Sequence, residues 1–200
     1  MCKLHIGSGS VVLPGWINVD IKALPGVDVV HDVSQGLPFA EAQFIFAEHF
    51  IEHLPFEAAS HFLRECRKVL PETSVLRLST PNLDWVLRSH YDPSRWHTTA
   101  EPIRDCIWIN KAFRGWGHCF LYNLETLAQL LSAAGFAFVL AQRYGRSQFP
   151  ALEGLESHET DLDLPGEPHV LIVEASGIVG EVSSTLCAAG SEFLQAIDLG

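Results

Sequence analysis

Two groups of residues in this chain have the types and spacing for chemistry. The first is Gly7-Ser8-Gly9, which closes a short apolar run at residues 3–6, followed by Asp20, which closes a second run at 16–20. Glycines at a strand end let a ligand approach the backbone closely. A carboxylate at the tip of the next strand can accept from both hydroxyls of a ribose. A bare Gly-x-Gly is equally a tight turn, and only its place between two strand ends gives it weight. The second group is the histidines His49, His53, His118 and His158. An imidazole is the natural proton acceptor near neutral pH, and the acceptor of a group transfer often has to lose a proton. His53 precedes Leu54-Pro55 at a helix start, where capping explains it without chemistry. His158 lies in an acidic loop, where solvent exposure is the default. His118 follows Trp116-Gly117 and is read as facing substrate, against the plainer reading of a loop histidine.

His49, Glu52 and His53 also form an H-x-x-E-H string, the spacing of an inverted zinc-protease motif. That reading needs both histidines on one helix, whereas the string begins at a strand end, so no metal is assigned.

These residues need elements to position them. Seven apolar runs bounded by turn residues suit strands buried in a largely parallel sheet: 3–6, 16–20, 27–30, 44–47, 74–78, 136–141 and 170–175. From Phe56, the positions Ala59, Leu63, Cys66 and Leu70 recur at helical spacing, with Arg67 and Lys68 in the last turn. A second helix starts at Asn123, runs through Leu124, Leu127, Leu130 and Leu131, and stops at Gly135. The middle, 83–121, has no sustained period and is expected to mix loops with short helices, one near 107–113, as an insertion or lid. Its aromatics Trp85, Tyr91, Trp96, Trp108 and Trp116 suit a sugar or aromatic substrate, or equally a small local core. The last two strands are joined by an irregular stretch, which allows an antiparallel edge. Residues 177–200 form a tail with an amphipathic segment near 191–197. All 200 residues are read as a single domain.

Composition narrows the partners. A net charge of −11 argues against general binding to nucleic acid or anionic membranes and leaves a small neutral or cationic substrate, or a protein partner, of which a small-molecule substrate is expected. Five cysteines without CxxC spacing suit a reducing compartment, and no window has the length of a membrane span. The expected location is the cytoplasm.

The runs KLHIGSGSVVLPGWINVDI, VDVVHDVSQGLPF, AEHFIEHL and LRECRKVLPETSVLRLSTPNLD follow one another in an order that resembles the class I S-adenosylmethionine-dependent methyltransferases. The resemblance is closest to their small bacterial type-11-like group. The later GHCFLYNLETLAQLLSAAGF is similar to that group's last helix and sixth strand. The resemblance implies a Rossmann-like α/β fold, a seven-stranded sheet of order 3-2-1-4-5-7-6 flanked by helices. It also implies S-adenosylmethionine as cofactor and S-adenosylhomocysteine as product. Gly7, Ser8 and Gly9 would line the methionine and ribose portion, Asp20 would hold the ribose hydroxyls, and Ile21 would pack near the adenine. Asp32 would accept from the adenine amino group, with the Val33 backbone amide beside it. Ala47, Glu48 and His49 would lie near the methionine end, which places His49 as a catalytic candidate beside His118, chosen from its turn after Trp116-Gly117.

The chain departs from the wider family in two places. Only about ten residues separate Gly9 from Asp20, too few for an ordinary helical crossover, so the first helix should be reduced or absent. Glu72-Thr73 stands where a glycine pair is usual, so that turn must take another form. The expected activity is methyl transfer to a small-molecule or glycan-related acceptor, at a hydroxyl. The rival readings are a non-catalytic cofactor-binding module of the same fold and a zinc-dependent hydrolase.

Overall fold

The computed structural model describes residues 2–157 and 162–178. His158 and the amphipathic segment near 191–197 lie outside them. The strands are β1 (Cys2–Ile6), β2 (Ile17–Asp20), β3 (Val29–Val30), β4 (Ala42–Glu48), β5 (Val75–Pro81), β6 (Phe136–Ala141) and β7 (Val170–Ile178). They form one sheet in the order β3-β2-β1-β4-β5-β7-β6. The first five run parallel, while β7 is antiparallel to both β5 and β6. This is the expected architecture and strand order.

No helix lies between β1 and β2; the chain turns through residues 7–16 and re-enters the sheet with Ile6 opposite Val19. The consequence appears in how the two faces of the sheet are covered. Ile45, Ala47, Leu76 and Leu78 point to one face, where α1 (Phe56–Val69) and α4 (Leu124–Ala133) supply Phe62, Leu63, Cys66, Leu127 and Leu131. Phe44, Phe46, Val75 and Trp16 point to the other and pack on Leu152, Phe149 and Leu155 of a loop. Alternation along the strands forces this division. Among the described residues, a loop rather than a helix packs on this part of the sheet.

Three local details show how the sequence sets the element ends. Asn123 caps α4 by accepting from the Thr126 amide at 3.0 Å, and Gly135 leaves the helix at φ +99°. The Pro71–Ser74 turn closes through Ser74 N–H to Pro71 O at 3.0 Å, with neither Glu72 nor Thr73 at positive φ. Residues 83–121 mix loops with helices, as expected, but the helices are α2 (Leu83–His90) and the longer α3 (Ala100–Arg114), which contains the expected 107–113 piece. The reason the period was invisible is that α3 leaves Ile103 and Ile107 exposed and buries only Asp105 and Ala112. Asp105 accepts from Trp96 Nε1 at 2.9 Å, so its burial is satisfied by hydrogen bonding. No helix among the described residues is long and apolar enough to cross a membrane.

Candidate functional site

The loop after β1 is fixed to the tip of β2. Ser8 N–H donates to Val19 O at 3.1 Å, and Gly9 N–H donates to Asp20 Oδ2 at 2.8 Å. The other Asp20 oxygen accepts from the Lys22 amide at 2.8 Å. Gly7 and Gly9 both lie at positive φ, +66° and +55°. Their side-chain space differs. A Cβ on Gly7 would come within 2.5 Å of Phe50, whereas one on Gly9 would meet nothing within 4 Å. Ser8 Oγ is buried with no hydrogen-bond partner among the described residues. Each Asp20 oxygen, having accepted one amide, keeps a second lone pair. Open space at Gly9, an unsatisfied hydroxyl and a two-oxygen acceptor together fit a ligand bearing vicinal hydroxyls.

The remaining predicted contacts follow the same edge of the sheet with differing roles. Asp32 caps a 3-10 turn, accepting from the Ser34 hydroxyl at 2.7 Å and its amide at 3.0 Å, and these bonds hold its carboxyl below the usual range. Val33 and Ala47 bury their side chains in the core, so only their backbones could meet a ligand. Ile21 is 62% exposed, available to cover an adenine face. Glu48 is engaged from the far loop, accepting from the Ser157 amide at 2.9 Å and hydroxyl at 2.8 Å.

Beyond β4 and β5 lies a cavity of about 790 Å³. Five histidines line it: His49, His53, His90, His118 and His169. Trp85, Trp108 and Trp116 supply aromatic surface, and much of the wall comes from α2, α3 and the turn after α3. The aromatic rings are mutually packed, Trp85 with His90 at 5.2 Å and His53 with His118 at 5.1 Å between centroids. Trp85 Nε1–H donates to Leu162 O at 2.7 Å, tying α2 to the stretch before β7.

His49 belongs to both regions; of the ten predicted cofactor contacts, it alone lines this cavity. It sits at the end of β4 with φ +47°, the only non-glycine at positive φ among the described residues. Its amide donates to Ser79 O at 3.0 Å. A left-handed backbone costs a non-glycine residue about 1 kcal/mol or more, and such strain collects where a side chain must be aimed. The aim is set by Glu52, whose Oε1 lies 3.0 Å from His49 Nδ1. Glu52 is fully buried, and its Oε2 accepts from Thr80 Oγ at 2.9 Å. Because the carboxylate only accepts, Nδ1 carries the hydrogen and Nε2 the lone pair. Tyr122, fully buried nearby, has its phenol pushed up by burial and by the charge of Glu52.

The sequence placed His49 and His118 at this site and missed the work of Glu52. The signal is the i+3 spacing of His49 and Glu52, which fits an orienting carboxylate as well as a metal-ligand string. The structure puts His49 on a strand end and Ile51–His53 in a 3-10 turn, so the string does not lie on one helix. His90 and His169 join the cavity through tertiary folding, for which the sequence held no local cue.

A family profile described as a methyltransferase domain matches residues 12–141, more than half of the chain. The chain belongs to this family, the class I S-adenosylmethionine-dependent methyltransferases, and its cofactor is S-adenosylmethionine. A search of curated proteins finds no matching sequence. Solved structures agree on the fold. A Thermotoga maritima S-adenosylmethionine-dependent methyltransferase, titled a possible histamine N-methyltransferase, aligns at 14% identity and TM-score 0.56 over 88% of this chain and 82% of its own. One from Archaeoglobus fulgidus aligns at 18% identity and TM-score 0.52, over 88% and 86%. A LepI complex with S-adenosylmethionine matches at 16% identity and TM-score 0.48 over 88% of this chain, which spans 42% of that longer protein.

Proposed function

We propose that the chain transfers a methyl group from S-adenosylmethionine to a hydroxyl of a small-molecule or glycan-related acceptor held in the histidine- and tryptophan-lined cavity. The observation that carries this reading is the position of His49. It ends the row of cofactor-side residues and borders the cavity, with its ring oriented by a buried carboxylate. When bound, the cofactor supplies an electrophilic methyl group on a sulfonium leaving group. Asp20 and the open backbone at Gly9 hold the ribose, Ser8 offers its buried hydroxyl, and Ile21 and Asp32 bracket the adenine. The tryptophans give the acceptor flat apolar surface, which suits an aromatic ring or the face of a sugar. His49 Nε2 takes up the proton that a hydroxyl acceptor must lose, while Glu52 stabilises the imidazolium through Nδ1. His118 lines the same cavity and faces the acceptor. The 83–121 segment, carrying much of the wall, acts as the acceptor-binding cover.

Calorimetry with S-adenosylmethionine and S-adenosylhomocysteine tests the donor side. Both should bind, and Asp20→Asn should weaken them about 10- to 100-fold, the worth of a charge-assisted hydrogen bond. Failure of folded protein to bind either would overturn the reading. Labelled methyl donor offered with a panel of phenols, alcohols and sugars tests the acceptor side. Tight donor binding with no transfer would favour a non-catalytic binding module, a reading supported by the missing first crossover helix.

A further inference from the structure

We propose that Glu52, His53 and His118 form a site for a divalent first-row transition-metal ion bordering the cavity. One ligand atom from each residue lies within 4.8 Å of the other two. The tautomers suit coordination. His118 Nδ1 is 2.7 Å from Ala112 O, and His53 Nδ1 is 3.3 Å from Gly117 O. A carbonyl oxygen only accepts, so each Nδ1 carries its hydrogen and each Nε2 presents a lone pair. Metal-ligating histidines are commonly held this way, with the distal N–H on a backbone carbonyl. The carboxylate is oriented too, by His49 on one oxygen and Thr80 on the other.

Backbone hydrogen bonds hold the ligands together. The amides of Cys119 and Phe120 both donate to Glu52 O, at 2.7 and 3.2 Å, joining the segment of His118 to that of Glu52 and His53. Two imidazoles and one carboxylate select Zn²⁺ and its first-row neighbours over Mg²⁺ or Ca²⁺. Coordination at about 2.0–2.2 Å requires the three groups to draw in by about 1 Å or less. Three protein ligands leave positions open, and His53 and His118 both line the cavity, so those positions face it. The metal site stands on this geometry alone. Its use, to hold an acceptor oxygen beside His49, rests on the function proposed above.

The test is titration of dialysed full-length protein with Co²⁺, followed by its visible d–d absorption and by calorimetry, with Zn²⁺ as competitor. One Co²⁺ per chain should bind and be displaced by Zn²⁺. His53→Gln and His118→Gln should each weaken binding at least 10-fold, while His90→Gln, in the same cavity but outside the ligand set, should not. Thermal melts establish which variants are folded, and two ligand variants guard against the loss of one. No stoichiometric Co²⁺ on the unsubstituted protein, or binding unchanged in folded His53→Gln and His118→Gln, would overturn the site. S-adenosylhomocysteine calorimetry on the same samples separates this outcome from failure of the methyltransferase reading, because neither substituted histidine, His53 nor His118, is among the cofactor contacts.

Discussion

His49 Nδ1 and Glu52 Oε1 lie 3.0 Å apart, with the carboxylate fully buried and the imidazole bordering the cavity. The pair is made by two local features. The strained φ of +47° at His49 turns the chain at the end of β4, and the 3-10 turn at Ile51–His53 brings Glu52 back beneath it.

His49→Gln removes the imidazole while keeping a polar side chain. Methyl transfer to a hydroxyl acceptor should fall about 10²- to 10⁴-fold, the usual contribution of a positioned base. S-adenosylhomocysteine affinity, measured by calorimetry, should change far less. An equal loss in both would make His49 a cofactor contact alone.

Gly7 and Gly9 should separate folding from binding. Gly7→Ala places a Cβ 2.5 Å from Phe50 at φ +66°, so both sterics and backbone oppose it. Its unfolding free energy from urea titration should drop by well over the roughly 1 kcal/mol of the backbone effect. Gly9→Ala has the backbone effect but no clash, since open space surrounds the added methyl. Its stability loss should stay near that roughly 1 kcal/mol, while S-adenosylhomocysteine affinity falls more than 10-fold. If Gly9→Ala binds normally, the open space at that loop is not the cofactor's.

How much of this was legible in the sequence depended on range. The strand order and absent first crossover could be read because motif order and the short Gly9–Asp20 spacing are local. The length of β5 could not: Ser79, Thr80 and Pro81 extend it because they pair with Ile172, Leu171 and Val170 of a distant antiparallel strand. Helix α3 was legible only as a short piece near 107–113, because its apolar residues Ile103 and Ile107 are exposed and burial leaves no period by which to extend it. The cavity histidines His90 and His169 meet only through the packing of Trp85 against both rings. Even Glu52, correctly grouped with His49, could not be given its partner before the turn geometry was known.

Arg77 ties the sheet to the loop that packs on it. It is fully buried, donating to Glu156 and Glu174 at 2.6 Å each and to Arg146 O at 3.0 Å. Glu156 also accepts from the Gly145 amide at 3.1 Å, so the cluster ties this loop to β5 and β7. Arg77→Met would leave two buried carboxylates facing each other without a cation. Urea unfolding should show a loss of about 3–5 kcal/mol. The triple variant Arg77→Met, Glu156→Gln and Glu174→Gln should recover much of that loss, since amides remove the uncompensated charge.

His5 gives a pH dependence of defined sign. Its ring is buried, hydrogen-bonded to Asn18 Oδ1 at 3.1 Å and stacked on Phe46 at 5.4 Å. Burial lowers its pKa, although the Asn18 bond and the charges of Glu48 and Asp20 pull the other way. The unfolded chain, with its histidine near 6.5, therefore binds the proton first as pH falls. Its contribution to stability is full above that value and is lost progressively as pH drops toward the lowered folded value. His90, partly buried with its pKa also lowered, contributes with the same sign, so the comparison must be made at one position. His5→Gln retains a donor for Asn18 and removes the titration. Denaturant curves for the two proteins should run parallel above pH 7, with the unsubstituted protein losing more stability between about pH 6.5 and 5. A constant difference across that window would mean that His5 does not titrate differently in the folded and unfolded chains.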